Sequence, residues 1–283
     1  MTNTHRLANR LGFILGTALA LLLSAALGHA SDAGSLTEEF HQSYPIAANG
    51  RVSLENVNGP VHISVWDREE VKVDAVKRAW TQKRLDEAQI KVSAARDYIS
   101  IHTEYPEGDR TFNHSHDDPA SVEYTLTVPR GASLDKIDLV NGSLDIDGVT
   151  GEVHAECING NMNTRGLQGQ VKLSSVNGRV NATFDRLVGP PVELESVNGA
   201  VLLTLPSDAS ADLEASTVSG SISDDFGIGV ARHRFVGQDL RGQLGPGGTR
   251  IRLDNVNGKI EIRHANDGKT LSPAKSTSSD HDS

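Results

Sequence analysis

The chain has 283 residues, 27 basic against 37 acidic side chains for a formal net charge of −10, a single cysteine, 4% aromatic residues and 27 glycines. So acidic a surface repels nucleic acid and anionic lipid headgroups, and a lone Cys157 excludes an internal disulfide. The scarcity of rings excludes a core built around aromatics and points to thin, repetitive packing of Val, Leu, Ile and Ala.

At the N-terminus, His5, Arg6 and Arg10 precede an apolar run from Leu11 to Leu27, and Gly28-His29-Ala30 offers small residues for cleavage. This pattern predicts an export signal over residues 1–30 and a periplasmic or secreted location, with the exported chain starting near Ser31. The charge of the exported part becomes −12, since only Arg6 and Arg10 are lost. The alternative is a retained anchor, because about 17 apolar residues approach the length of a bilayer span. The small-residue boundary favours cleavage, which leaves no stable membrane span. No cysteine follows the run, which argues against a lipid-anchored start. The remaining stretch suffices for one large domain or two small ones.

Strand structure is expected from about residue 50, where Gly50-Arg51-Val52-Ser53-Leu54-Glu55-Asn56-Val57-Asn58-Gly59 opens an alternating pattern continued by Val61, Ile63, Val65, Val71, Val73 and Ala75. Between 77 and 130 that pattern is interrupted. A short helix is expected over Thr81 to Gln89, then a hairpin of Ile90 to Ala94 and Tyr98 to Glu104 around Ala95-Arg96-Asp97. A polar loop, Pro106 to Ser121, leads into the strand Val122 to Val128. This insertion is expected to cap an open sheet end against edge-to-edge association.

The strongest signal follows. Gly142, Gly151, Gly160, Gly169 and Gly178 recur every nine residues, a period that marks a repeat architecture. Apolar or small residues fill the third position (Leu144, Val153, Met162, Val171, Val180) and the fifth (Ile146, Ala155, Thr164, Leu173, Ala182) of each unit, as in a strand with one buried face. The eighth position (Val149, Ile158, Leu167, Val176) is also expected to point inward. The seventh holds small residues, Gly148, Cys157, Gly166 and Ser175, expected at a tight corner. The residue before each glycine alternates, so asparagine returns every 18 residues. The resulting pairs are Asn58-Gly59, Asn141-Gly142, Asn159-Gly160, Asn177-Gly178, Asn198-Gly199 and Asn257-Gly258, with Val218-Ser219-Gly220 a variant. The predicted fold is all-β, a β-solenoid of nine-residue half-coils. Its asparagines stack at one corner and its glycines take positive φ. The competing architecture is an antiparallel β-meander, since Asn-Gly is also a two-residue hairpin signal.

After Gly199 the spacing loosens through a Gly-rich excursion, Phe226 to Gly248, before a last strand pair, Thr249 to Leu253 and Lys259 to Arg263. One β-repeat domain over 36–264 is expected, and residues 265–283, rich in Ser, Asp, Lys and Pro, are expected to be a disordered tail.

No residue set demands catalysis, a cofactor or a metal. The 18-residue coil collects Asp145, Asn163 and Asn181 in one column and His154 and Lys172 in another, with no carboxylates stacked, so these read as solvated polar ladders. His114, His116, Asp117 and Asp118 are the densest group of potential metal ligands, but they lack a third ligand at a fixed spacing and read as an exposed loop. Asp225-Phe226-Gly227 lacks the remaining kinase motifs. Gly245-Pro246-Gly247-Gly248 lacks the helix and basic residue of a phosphate loop. Cys157 is expected to be packed and inert.

Val122-Glu123-Tyr124-Thr125-Leu126-Thr127-Val128-Pro129, with the repeated V-N-G and L-x-G segments, resembles the bacterial "putative adhesin" family over roughly residues 40 to 264. That resemblance implies an exported or envelope-facing β-solenoid without catalytic residues, some of whose relatives are linked to envelope stress. The function expected is non-enzymatic: an adhesin-like binding or scaffold module of the cell envelope recognising a surface glycan or an envelope protein. A β-helix carbohydrate-active enzyme and an envelope-stress sensing component are the alternatives.

Overall fold

With apolar side chains at every second position, a strand that buries one face turns its polar residues to solvent. In the computed structural model, which describes residues 35–106, 118–187, 189–232 and 237–277, the unit Val153-His154-Ala155-Glu156-Cys157 does this: Val153, Ala155 and Cys157 are buried and the two polar residues face outward. The described residues fall within a single compact unit.

The described residues begin with β1 (Leu36–Pro45), β2 (Arg51–Asn58), β3 (Val61–Trp66) and β4 (Glu70–Ala79), then α1 (Gln82–Glu87), β5 (Gln89–Ala94), β6 (Tyr98–Glu104) and β7 (Ser121–Pro129). The regular repeat supplies β8 (Ser133–Asn141), β9 (Leu144–Asp147), β10 (Val153–Asn159), β11 (Met162–Arg165), β12 (Val171–Asn177), β13 (Val180–Thr183), β14 (Val192–Asn198) and β15 (Val201–Leu205). The looser remainder gives β16 (Ala211–Ser219), β17 (Ile222–Asp224), β18 (Val230–Arg232), β19 (Gln238–Leu244), β20 (Thr249–Asn257), β21 (Ile260–His264) and β22 (Ala274–Ser276).

These strands form two sheets. The first runs β1-β4-β7-β3-β9-β11-β13-β15-β21-β17, the second β18-β19-β16-β20-β14-β12-β10-β8-β2-β6-β5, with β22 also on β19. Through the repeat, successive strands alternate between sheets, and each pairs in parallel with its counterpart one coil on: Val153 opposite Val171, Met162 opposite Val180. This is the β-solenoid; a meander would pair consecutive strands. Each V-N-G corner carries the chain from the second sheet to the first. Between the sheets lies the aliphatic core, in which Leu144, Ile146, Met162, Val171 and Leu173 are fully enclosed.

Rung order departs from chain order at both ends. The β2–β3 rung lies between β6–β7 and β8–β9, and the β20–β21 rung lies between β14–β15 and β16–β17. Antiparallel strands close the ends: β1 on β4, β4 on β7 and β5 on β6 at one, β19 on β16 with β18 and β22 at the other. Among the described residues strand structure therefore starts at Leu36, earlier than expected, and β4 is an antiparallel cover and no further coil. The Gly-rich excursion holds the two strands β18 and β19. The expected disordered tail differs most: Ala274–Ser276 pairs with Gly242–Leu244, and Gly245 N donates to Pro273 O at 2.9 Å, because the outer edge of β19 offers backbone groups that need partners. Residues 278–283 lie outside the described residues.

The N-terminal cover is pinned by polar groups. The Thr81 hydroxyl caps α1 by accepting from Arg84 N at 3.3 Å. Buried Lys77 donates to Leu85 O and Ala88 O, each at 3.2 Å, and pairs with Glu38 at 2.8 Å. Buried Thr103 joins β2, β6 and β7 by donating to Asn56 Oδ1 at 3.0 Å and meeting the Tyr124 hydroxyl at 2.8 Å. Burial pushes that phenol up to about 12.

Candidate functional site

The V-N-G corner is a set of ladders. Asn141 Nδ2 donates to Asn58 Oδ1 at 3.1 Å, Asn159 to Asn141 at 2.9 Å, Asn177 to Asn159 at 2.9 Å, Asn198 to Asn177 at 3.1 Å and Asn257 to Asn198 at 3.0 Å. Every amide points the same way along the coil. Beneath it, the corner glycines stand carbonyl to α-carbon. A Cβ on Gly160, Gly178 or Gly199 would lie 1.9 Å from the carbonyl oxygen of Gly142, Gly160 or Gly178. Positive φ occurs at Gly59 and Gly258 of this set, but not at Gly142, Gly160, Gly178 or Gly199. The demand for glycine is thus chiefly close rung-to-rung approach, a correction to the expected role of backbone handedness.

A third ladder lies inside. The glycine carbonyls accept from Cys157 Sγ (Gly142, 3.3 Å), Ser175 Oγ (Gly160, 3.4 Å), Ser196 Oγ (Gly178, 3.1 Å), Asn255 Nδ2 (Gly199, 2.8 Å) and Thr217 Oγ1 (Gly258, 3.3 Å). Cys157 is one member of this series; burial pushes its thiol up to about 11, so it stays protonated.

The valine of the motif points outward. Ile158 is 46% exposed and Val176 41%, whereas Val149 and Leu167, in the same register of the other half-coil, are buried. The expected inward eighth position therefore holds at one corner only. At V-N-G the strand has already buried residue seven, and alternation turns residue eight to solvent.

The outer face of the first sheet carries the polar column expected from the 18-residue coil and extends it to His62. Register aligns His62, Asp145, Asn163 and Asn181 on β3, β9, β11 and β13. His62 Nδ1 meets Asp145 Oδ2 at 3.0 Å, Asn163 Nδ2 donates to Asp145 Oδ1 at 2.9 Å, and Arg165 pairs with Asp147 at 2.9 Å. Together with Asn181 these residues line an open groove of about 640 Å³. His62 escaped the sequence reading because it belongs to a rung 80 residues or more upstream, although the match of Gly50–Gly59 to the repeat was the clue.

On the second sheet His154 lies opposite Lys172 as expected, and that column continues through Glu193, Arg252, Glu214 and Arg241 with alternating sign. The neighbouring column corrects the expectation that no carboxylates stack: Glu55, Asp138 and Glu156 are adjacent, as are Glu195 and Asp254. Lys136 bonds Glu55 and lies 3.4 Å from Asp138, and Arg252 meets Asp254 at 2.6 Å, which offsets the repulsion.

His114, His116 and Asp117 lie outside the described residues. Among the described residues no three His, Cys, Asp or Glu side chains come together as a metal site, and no helix is long and apolar enough to cross a membrane. Asp225-Phe226-Gly227 forms a tight turn in which Asp224 Oδ2 accepts from Ile228 N at 2.6 Å. Gly245-Pro246-Gly247-Gly248 is the turn between β19 and β20, where Gly248 N donates to Asp212 at 3.2 Å.

Among solved structures, the chain is similar to a "putative cell adhesion protein" from Clostridium sporogenes, at 14% identity over 81% of this chain and 100% of that one, with a TM-score of 0.48. It is also similar to a "putative adhesin" from Bacteroides fragilis (13% identity, 80% and 97% covered, TM-score 0.36) and a "putative lipid binding protein" from Parabacteroides distasonis (11%, 82% and 97%, TM-score 0.33). No protein with a curated description matches. Residues 130–263 match the family described as Toastrack DUF4097. That match takes in β8 to β20 and most of β21, with every V-N-G corner from Asn141 onward. By this match, the repeat region of the chain is similar to the Toastrack DUF4097 family.

Proposed function

We propose that this protein is a non-enzymatic, exported module of the cell envelope that binds a surface glycan or an envelope protein along the outer face of its first sheet. The supporting observation is the in-register row His62, Asp145, Asn163, Asn181, whose donors and acceptors repeat with the strand spacing of about 4.8 Å. Parallel pairing on both sides fixes the backbone of β9, β11 and β13, so the row is presented without the entropy cost of ordering a loop. None of the named groove residues has a ring to stack on a sugar except His62, so each contact is weak. A linear row gains by engaging several units of one polymer.

The carboxylates here are committed to neighbours, Asp145 to His62 and Asn163, Asp147 to Arg165. That arrangement suits recognition better than the free acid and base of a glycosidase. Export is the reading that the N-terminal basic and apolar segment supports.

The test is retention of the chain from Ser31 onward on immobilised envelope polysaccharides and peptidoglycan, with pull-down from envelope extracts in parallel. Asp145→Ala with Asn163→Ala is expected to weaken binding about tenfold, equivalent to about 1.4 kcal/mol, with an unchanged circular dichroism spectrum. Absence of any bound glycan or envelope protein counts against the proposal. New reducing or unsaturated ends on a polysaccharide would assign the enzyme instead.

A further inference from the structure

Counting outward from the β2–β3 rung, the first sheet continues through β7, β4 and β1, and the second through β6 and β5 only. Strand β1 therefore stands one place beyond the opposite sheet. Its ten residues pair with β4 without a register shift, and among the described residues nothing pairs with its other side. A long, straight edge is a template for another strand, and proteins blunt it with lysine, proline or a bulge. Before Pro45, β1 has none of these. The edge of the second sheet at this end, β5, is six residues long and carries Lys91, and at the far end the sheets finish in the three-residue strands β17, β18 and β22.

The phase of the edge follows from the bond that Ile46 N donates to Glu69 O at 3.1 Å. Bonded pairs recur at every second residue of an antiparallel ladder, so the even positions of β1 bond β4. The N–H and C=O groups of Thr37, Glu39, His41 and Ser43 then point to the free side. Side chains of these odd positions lie on the outer face, where His41 meets Asp74 at 2.7 Å. The even positions Leu36, Glu38, Phe40, Gln42 and Tyr44 lie on the inner face, opposite the inward side chains of β4. Because the second sheet stops one strand short, that inner face is incompletely covered: Leu36 is 41% exposed, and Phe40 and Tyr44 are half-buried.

Outward from Phe40 the strand is self-complementary: Glu39 matches His41, Glu38 matches Gln42, Thr37 matches Ser43 and Leu36 matches Tyr44. We propose that two copies of the chain associate by antiparallel pairing of their β1 edges, about a two-fold axis that passes through Phe40 perpendicular to the first sheet. Phe40 then faces Phe40 of the second copy and Leu36 faces its Tyr44, which covers the apolar groups that the short second sheet leaves open. Glu39 faces His41 of the second copy, and the free backbone groups of these two residues, and of Thr37 and Ser43, bond each other. All of these are favourable cross-strand pairs. The neighbouring registers are worse. An axis at His41 sets histidine on histidine and Phe40 on Gln42, and an axis at Glu39 sets carboxylate on carboxylate. With the axis at Phe40 neither glutamate faces its own mate. Glu38 is held by Lys77 at 2.8 Å and Asp74 by Lys72 at 2.7 Å, and across the joint Asp74, His41 and Glu39 of the second copy lie in one row of alternating sign. The two-fold closes the assembly at a dimer and uses up the β1 edge of both copies.

The experiment uses the chain from Ser31 onward, which contains every described strand, at increasing concentration in sedimentation equilibrium without added polysaccharide. The joint buries on the order of 1,000 Å², so a dimer with a dissociation constant of about 10–100 μM is expected. Glu39→Pro removes an N–H that points away from β4, which an edge strand tolerates. It is expected to raise the constant more than about tenfold by deleting central bonds of the joint, with no change in circular dichroism. Cysteines on a Cys157→Ser background read the register. Facing even positions are non-bonded pairs with α-carbons about 4.5 Å apart, within disulfide reach. Phe40→Cys should therefore link to itself on mild oxidation and Gln42→Cys should not. A mixture of Glu38→Cys and Gln42→Cys, both at exposed positions, should form the mixed dimer even if Phe40→Cys folds poorly. A monomer at about 500 μM, a dimer indifferent to Glu39→Pro, or self-linking of Gln42→Cys would each overturn the proposal. Failure here leaves glycan or envelope-protein binding to be read by its own retention assay.

Discussion

At Gly178 and Val176, two residues apart in one corner, substitution meets opposite physics. A Cβ at Gly178 would sit 1.9 Å from the backbone oxygen of Gly160, so Gly178→Ala must push two rungs apart. The expected cost is about 3 kcal/mol, seen as a fall of about 6–12 °C in the thermal midpoint. Val176→Asp places its carboxylate in solvent, and its cost is expected within about 0.5 kcal/mol. A midpoint lowered more by Val176→Asp than by Gly178→Ala would reverse the assignment of inside and outside at this corner. The spacing of glycines was plain in the sequence. Which neighbour of the asparagine faces inward was not, because alternation fixes faces only once the phase at the corner is known, and Cys157, Ser175 and Ser196 set that phase by bonding glycine carbonyls of another rung.

A rung gains from its neighbours through the ladder. Asn177 donates to Asn159 and accepts from Asn198, each at about 3 Å. Asn177→Ala removes both bonds at an exposed site and is expected to cost about 1–2 kcal/mol. Asn177→Ser, which keeps a donor but not the reach, should recover little of it; equal midpoints by calorimetry for wild type and Asn177→Ala would deny the ladder a part in stability. The 18-residue return of asparagine made this stack legible before any coordinates. The hairpin of β5 and β6 and the short helix α1 were legible for a similar reason, since turn residues and caps act over a few positions. The carboxylate column of the second sheet was hidden. Glu195 and Asp254 are 59 positions apart, and no periodicity in the chain says that β20 lies beside β14.

The order of rungs governs how the whole chain comes apart. Because β2–β3 and β20–β21 are each held by parallel partners on both sides, the outermost coils are supplied by internal segments, and neither end of the repeat can fray one coil at a time. Removing residues 249–283 takes β20, β21 and β22 together and leaves β16 with β19 alone, cut off from β14. Hydrogen exchange of that truncated chain is expected to show loss of protection over residues 205–248 while β8 to β13 stay protected. Retained protection in β16 would mean that β16 can close directly onto β14, and that the slot has no required occupant.

By itself the sequence determined the class of fold, the coil length, the two unlike corners and the polar column Asp145, Asn163, Asn181. Each of these rests on short-range chemistry: alternation along a strand, small residues where backbones approach, and side chains that bond the next rung. Only the tertiary structure decided that the first and last coils lie one place in from the ends, that His62 joins the column, that residues 265–277 close an edge and that the valines of the V-N-G corner face outward. Those outcomes depend on which strand edges are left unpaired once the regular coils have stacked, and an unpaired edge accepts whichever segment of the chain can reach it.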